Sequence, residues 1–213
     1  MPDRATSDTA SRFHLLRHGQ SLANVQRLIA SSVGAAGSAY GLTATGREQV
    51  RRSVSAARAS GLWPGRTHVV SSPLLRARES ADIAAGVLGT SVRVDERLIE
   101  RSFGELELTA DENYEQVWAA DRTDPAHERW GVESAATILG RLAALLRDLD
   151  AIDGTGSFVL CTHGDVASVL LCAASGLALS QHREVGTMGN GELRAIADRD
   201  IGRAIPTIPH GVL

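Results

Sequence analysis

The chain contains no lysine: all 22 of its basic residues are arginine. That absence removes two classes of chemistry at once. A Schiff-base mechanism needs a lysine amine, and a Walker phosphate loop needs a lysine beside its glycines. The bias itself reads as the mark of a GC-rich genome rather than of selection. Cysteine is scarce as well. Cys161 and Cys172 are the only two, and both sit in apolar stretches. They read as buried free thiols rather than a disulfide, which fits a reducing compartment. Cys161 lacks the trailing arginine of a cysteine phosphatase, and there is no Gly-x-Ser-x-Gly elbow. Charge is not lopsided: a net −3 over 213 residues draws the chain broadly to neither nucleic acid nor anionic membrane. The longest apolar stretch, 166–179, is too short and too interrupted to span a bilayer, and reads as a core helix. Residues 1–12 lack the apolar centre of a signal peptide and read as a flexible tail. The expected compartment is the cytoplasm.

What remains is an ordinary globular composition, 43% hydrophobic and 22% charged. It is enough for one well-buried domain and marginal for two. Residues 13–200 are expected to form that domain, with an insertion at 109–130. The stretch 201–213, with Pro206 and Pro209, reads as an irregular tail. No internal repeat or low-complexity linker interrupts the chain.

Four segments join an apolar run to chemistry. Phe13-His14-Leu15-Leu16 reads as a buried strand and ends in Arg17-His18-Gly19-Gln20. A cation, an imidazole and a permissive glycine at a strand tip suit an anion. The residues from Gln20 to Asn24 are expected to open a helix whose first N–H groups face that anion. Val69-Val70 leads to Ser71-Ser72-Pro73-Leu74-Leu75-Arg76. Phe158 to Thr162 repeats the opening plan and ends in His163-Gly164. Between them, Leu98-Ile99-Glu100 precedes Phe103-Gly104.

The periodicities predict the frame. Helices are expected over 42–62, opened by a capping box of Thr45 and Glu48, and over 74–88, stopped at Gly89. A strong amphipathic helix is expected over 135–149, with Ile138, Leu142, Leu145, Leu146 and Leu149 on its stripe. A further helix is expected over 166–175, and strands over 67–71, 92–94 and 192–197. The stretch 30–41 is a candidate lid, and 109–130 is expected to be partly helical and loosely tied to the core. Alternating strands and helices predict an α/β fold: a three-layer α/β/α sandwich with a mostly parallel central sheet. Sites in such folds form at the carboxyl ends of strands, so Arg17, His18 and His163 can meet there.

The residue types then suggest phosphoryl chemistry. Neutral imidazole attacks a phosphate monoester without needing a base, provided a carbonyl holds its other nitrogen protonated. A backbone oxygen near Gly19 is the candidate holder for His18. Arg17, Arg76 and His163 would bind phosphoryl oxygens, and Asn24 would add a neutral donor. Glu100 is the candidate proton donor; Glu96, Glu105 and Glu107 read mostly as solvated. Arg78 reads as a helix-surface residue, and His14 as an interior one. Gly19, Gln20, Asn24 and Gly164 complete the substrate-binding set. No metal ligand set and no cofactor is assigned, because the fixed positive charge is sufficient without Mg²⁺. A metal-dependent hydrolase built on His14, His18, His163 and Asp165 is the rival from another class.

In the order Arg17-His18-Gly19, Ser72-Pro73-Leu74-Leu75-Arg76-Ala77, Glu100 before Phe103-Gly104, and His163-Gly164, the chain resembles the histidine phosphatase superfamily. That superfamily includes the cofactor-dependent phosphoglycerate mutases and many broad phosphatases. The resemblance spans about 13–196 and implies the same roles for His18, Arg17, Arg76, His163 and Glu100, and a phosphoglycerate mutase-like fold. Leu42-Thr43 with Gly46 and Gln49 resembles it as well. The chain also departs from the pattern. The aromatic-glycine-tryptophan segment of the glycolytic mutases is replaced by Val25 to Ala30. Gln20 stands where glutamate is common, Leu108 where glycine often follows, and Val132 where glycine usually precedes Glu133-Ser134. A phosphatase acting on a small phosphorylated metabolite is therefore favoured over a mutase, with a non-catalytic phosphoryl-binding protein as a third reading. No nucleic-acid or membrane partner is expected, and a homodimer is compatible with the sequence.

Overall fold

The computed structural model describes residues 11–36 and 38–196. The expectations for 1–10 and 197–213 lie outside the described residues. Strand β1 (Phe13–Arg17) leads into the short helices α1 (Leu22–Gln26) and α2 (Val33–Ala36), and then α3 (Ala44–Ala59). Strand β2 (Thr67–Ser71), helix α4 (Leu75–Leu88) and strand β3 (Val92–Val94) follow. Helices α5 (Tyr114–Thr123) and α6 (Ala135–Ile152) precede β4 (Ser157–Thr162), α7 (Gly164–Ala174) and β5 (Leu193–Ile196).

The five strands form one sheet in the order β3-β2-β4-β1-β5. The first four run parallel, and β5 pairs antiparallel along β1. Both faces of this sheet are covered, which explains why its central strands read as continuous apolar runs rather than alternating ones. Side chains still alternate along each strand. Phe13, Leu15, Phe158 and Leu160 face one core with α6 and α7. Leu16, Val159 and Cys161 face the other, with α3 and α4. The result is the expected α/β/α sandwich.

The α6 stripe falls where the periodicity puts it. Ile138, Leu142, Leu145, Leu146 and Leu149 are all buried, each contributing roughly 1.5–3 kcal/mol on a transfer scale. Ser134 caps the helix, accepting from the Thr137 amide at 3.1 Å. Gly89 ends α4 in the left-handed conformation at φ 72°, which glycine adopts without strain. Both cysteines are buried free thiols.

Two expectations are corrected. The cap of α3 is Thr43, not Thr45; its hydroxyl accepts from the Gly46 amide at 3.0 Å. The 109–130 segment is firmly tied to the core rather than loose. Asp121 on α5 is fully buried and takes a bidentate ion pair from Arg101, at 2.6 and 2.9 Å. The candidate lid at 30–41 is anchored at its two ends. Ile29 exchanges hydrogen bonds with Leu108 and Thr109, and the Gly41 carbonyl accepts from Leu22.

Candidate active site

Strands β2, β4 and β1 lie side by side, and their carboxyl ends deliver Ser72, His163 and the pair Arg17-His18 to one place. Arg76 arrives on the first turn of α4, and Glu100 on the connection that follows β3. Arg17, His18, Arg76, Glu100, Asn24 and Gly164 all line one cavity of about 340 Å³. His163 is fully buried beside them, with its ring centroid 5.1 Å from that of His18.

The protonation pattern follows from the hydrogen bonds. Nδ1 of His18 donates to the Gly19 carbonyl at 2.8 Å, as the sequence reading requires. The lone pair is therefore on Nε2, where Nε of Arg76 donates to it at 3.1 Å. Burial, then the charges of Arg76 and Arg17, hold the His18 pKa well below its ordinary value. His163 is held low by burial, then by Arg76 and His18. Its Nε2 lies 2.7 Å from Ser72 Oγ, which already accepts from the Leu74 amide. Ser72 has no other acceptor for its own proton among the described residues. That proton goes to Nε2, and the ring proton of His163 sits on Nδ1.

Three buried polar atoms around His18 have no protein partner: Nε of Arg17, Nη1 of Arg76 and Nδ1 of His163. Their guanidinium neighbours are otherwise fixed. Arg17 Nη1 donates to the Met188 carbonyl at 2.5 Å, and Arg76 Nη2 to the Ala30 carbonyl at 2.8 Å. Orphaned buried donors are costly, and these three belong to residues gathered around His18, an arrangement that suits an anion.

Glu100 is 9% exposed, and its pKa is pushed up to about 7. Burial is the main cause, followed by repulsion from Asp165; Arg76, the Arg101 amide and Arg17 oppose the shift. A carboxyl group with that value carries a proton near neutrality and can give it up.

Other residues fall elsewhere. Gln20 does not line the cavity; its side-chain oxygen accepts from Thr43 Oγ1 at 2.8 Å. Gly19 is needed for packing, since a Cβ there would lie 2.1 Å from the Gly46 carbonyl oxygen. Two of the first amides of α1 are taken up within the protein rather than left for an anion. Leu22 donates to Gly41 and Asn24 to the Ser21 cap. Asn24 does line the cavity, with Oδ1 engaged by Ser21 and Asn190, which leaves its amide hydrogens for a ligand. Glu107 is not a solvated carboxylate. It accepts from the Ser31 amide and hydroxyl and the Ser32 amide, and so anchors the loop that carries the Ala30 carbonyl. His14 is interior and accepts from Trp63 at 3.2 Å. Among the described residues, no three His, Cys, Asp or Glu side chains are grouped to hold a metal ion. Arg78 is exposed, as read.

The far wall of the cavity was not legible in the sequence. Tyr114 and Trp118 on α5 stack at 5.3 Å, and Arg183 lies over the Trp118 ring with Cζ 3.7 Å from its centroid. Asp165 accepts from Trp118 Nε1 at 3.0 Å and from Arg183 Nη1 at 3.1 Å. Four residues from three elements meet there, and no local spacing announces them.

Residues 13–205 match the Histidine phosphatase superfamily (branch 1). The chain is 30% identical over 178 residues to the probable phosphoglycerate mutase GpmB of Erwinia tasmaniensis, covering 81% of this chain and 78% of that protein. Its fold is similar to that of a mycobacterial glucosyl-3-phosphoglycerate phosphatase in complex with VO3. There the TM-score is 0.72 at 26% identity, covering 86% of this chain and 91% of that one. A structure described as mycobacterial hydrolase 1 gives 0.73 at 26% identity, covering 86% and 87%. Because the match runs through both histidine-bearing strands and every segment that meets at the cavity, the chain belongs to the histidine phosphatase superfamily.

Proposed function

We propose that this protein is a phosphatase that hydrolyses small phosphomonoesters through a phosphohistidine on His18. The observation that carries this reading is the set of three orphaned donors around a histidine whose Nδ1 is tied to a carbonyl. The phosphoryl oxygens take Arg17 Nε, Arg76 Nη1 and His163 Nδ1. Arg76 Nε turns from the His18 lone pair to the same group, which frees Nε2 to attack phosphorus. The bond from phosphorus to the ester oxygen breaks, and Glu100 gives its proton to the leaving alkoxide. Glu100, now ionised, takes a proton from water as it attacks the phosphohistidine, releasing inorganic phosphate and restoring the enzyme. Positioning and electrostatics supply most of the acceleration in such transfers.

Retention of all five groups argues against a merely binding protein. Phosphoglycerate mutase-type transfer is the second reading, favoured by the name of the Erwinia relative. The test is a rapid quench with labelled aryl phosphate in excess EDTA, followed by mapping of the label. An acid-labile, base-stable phosphate on His18 is expected; label on Cys161 or His163 would overturn the reading. With 3-phosphoglycerate, release of inorganic phosphate is expected, and efficient formation of 2-phosphoglycerate would move the assignment to a mutase.

A further inference from the structure

Glu100 shares its cavity with a second buried carboxylate. Asp165 lines the same space and is 4% exposed. The two arrive on different elements, Glu100 on the connection after β3 and Asp165 in the first turn of α7. Arg101 ties them together. Its amide donates to Glu100 Oε1 at 3.0 Å, and its Nη1 lies 3.5 Å from Asp165 Oδ2. Two buried carboxylates at one cavity cannot both be ionised without cost.

Their contacts decide which one keeps the charge. Asp165 accepts from Trp118 Nε1 at 3.0 Å and from Arg183 Nη1 at 3.1 Å. It also sits where a helix N-terminus favours negative charge. Glu100 accepts only the Arg101 amide among the described residues. The Arg101 guanidinium gives it no counter-charge to spare, being committed to Asp121 at 2.6 and 2.9 Å and to the Glu133 carbonyl at 2.8 Å. Of the two acids, Glu100 is the one left to hold a proton.

The remaining groups around Glu100 pull in opposite directions. Burial, and then Asp165, favour its acid form; Arg76 from α4, the Arg101 amide and Arg17 from β1 favour the carboxylate. Tyr114 from α5 faces both acids as a neutral phenol, its ionisation pushed up by burial, then by Glu100 and Asp165. The Arg183 side chain is 17% exposed against 5% for Asp165, so water screens the cation of that pair more than the anion. A phosphoryl group tips this balance one way. Its negative oxygens offset Arg17 and Arg76, while burial and Asp165 stay as they were.

We propose that Asp165 is a positioning residue for the reaction: its negative charge on the cavity wall keeps Glu100 in the acid form once a phosphoryl group occupies Arg17 and Arg76. This rests on the phosphoryl-transfer reading of the same cavity. An enzyme whose Glu100 is ionised when empty takes one proton from water as the anion binds. That proton is the one later given to the leaving alkoxide.

The experiment counts the protons taken up when sulfate binds, by calorimetry between pH 6 and 9 in buffers of different ionisation enthalpy. Sulfate is a tetrahedral dianion that does not itself titrate in this range. The wild type is expected to show maximal uptake above pH 7, where the empty enzyme has released the Glu100 proton and the loaded one still holds it. Glu100→Gln should lose that uptake, which separates it from any proton taken by His18 or His163. In Asp165→Asn the maximum should move to lower pH by about one pH unit, the scale of a single neighbouring charge. Asp165→Glu should return it toward the wild-type position. Because Asp165→Asn leaves Arg183 without its counter-charge, the double variant Asp165→Asn/Arg183→Gln removes the pair together and should show the same displacement. A maximum that stays in place when Asp165 is neutralised would overturn the proposal, since Asp165 would then only hold Trp118 and Arg183. A wild type with no Glu100-dependent uptake would overturn it too. If sulfate does not bind at all, the phosphoryl site fails and takes the proposal with it; if sulfate binds and the maximum does not move, the role of Asp165 alone fails.

Discussion

The Nε–H of Arg76 donates to Nε2 of His18 at 3.1 Å, placing a cation directly on the lone pair expected to attack phosphorus. The contact keeps the imidazole neutral, since protonating Nε2 would set two positive groups against each other. The same arginine is anchored through Nη2 to Ala30, so its position depends on a loop 46 residues away in sequence.

Arg76→Ala is therefore expected to act in two ways. Turnover should fall by about 2–4 kcal/mol in activation free energy, the scale of a lost transition-state donor. The His18 pKa should rise, because a cation that lowers it is gone. Imidazole NMR across pH 4–8 and steady-state kinetics check both effects. Arg78→Ala is the control; equal effects at the two positions would mean the pocket is misassigned.

Glu100→Gln is expected to slow alkyl phosphates by about 10²–10⁴-fold, and p-nitrophenyl phosphate much less, because a nitrophenolate leaves without a proton. Single-turnover phosphorylation of His18 by both substrates decides it; equal slowing would remove the proton-donor role. In the wild type, alkyl-phosphate cleavage should decline as pH rises through about 7, and the variant should lose that limb.

The same group predicts a stability difference. Its pKa is raised from 4.5 to about 7 by folding. Between those values the unfolded chain has released the proton while the folded one still holds it, so stability falls as pH rises through this window and levels off above it. That loss is on the order of 3 kcal/mol and should be absent in Glu100→Gln. His18 and His163, held neutral by burial, act oppositely and add stability as pH rises toward 6.5. The difference between wild type and variant in denaturant melts at pH 5 and pH 8 isolates Glu100.

Asp121→Asn should be severely destabilising. Arg101 and Asp121 are both fully buried and paired through two hydrogen bonds. The pKa of Asp121 is held below the usual carboxylate range: burial pushes it up, but hydrogen bonds from His182 and Arg101 outweigh that. Removing one charge of such a pair costs about 3–5 kcal/mol. Urea denaturation measures it, and a loss below 1 kcal/mol would show that Asp165 alone suffices for Arg101.

Leu108→Gly is expected to stabilise. Leu108 sits at φ 60° and is 45% exposed, so little packing is lost. Left-handed backbone costs a side-chain-bearing residue roughly 1–2 kcal/mol, and glycine's extra freedom in the unfolded chain returns part of that. A net gain of about 0.5–1 kcal/mol should appear as a higher denaturation midpoint.

The sequence by itself determined the frame and the inner half of the site. Strand and helix periodicities are local, and burial on both faces of a parallel sheet writes itself as unbroken apolar runs. Arg17-His18, Ser72 and His163 follow their strands directly, so parallel pairing was enough to bring them together. Arg76 on the first turn of its helix was legible for the same reason. Only the tertiary structure decided the outer half. Glu107 looked like one of several solvated acids until the Ser31 loop folded onto it. Gln20 lies two residues after His18, yet a contact to Thr43 turns it away from the cavity. Tyr114, Trp118, Asp165 and Arg183 come from α5, from the start of α7 and from the loop beyond it. Their meeting depends on how the 109–130 segment docks through Asp121 on Arg101. That docking is a long-range ion pair between buried groups, and neither partner's neighbours in sequence carry any trace of it.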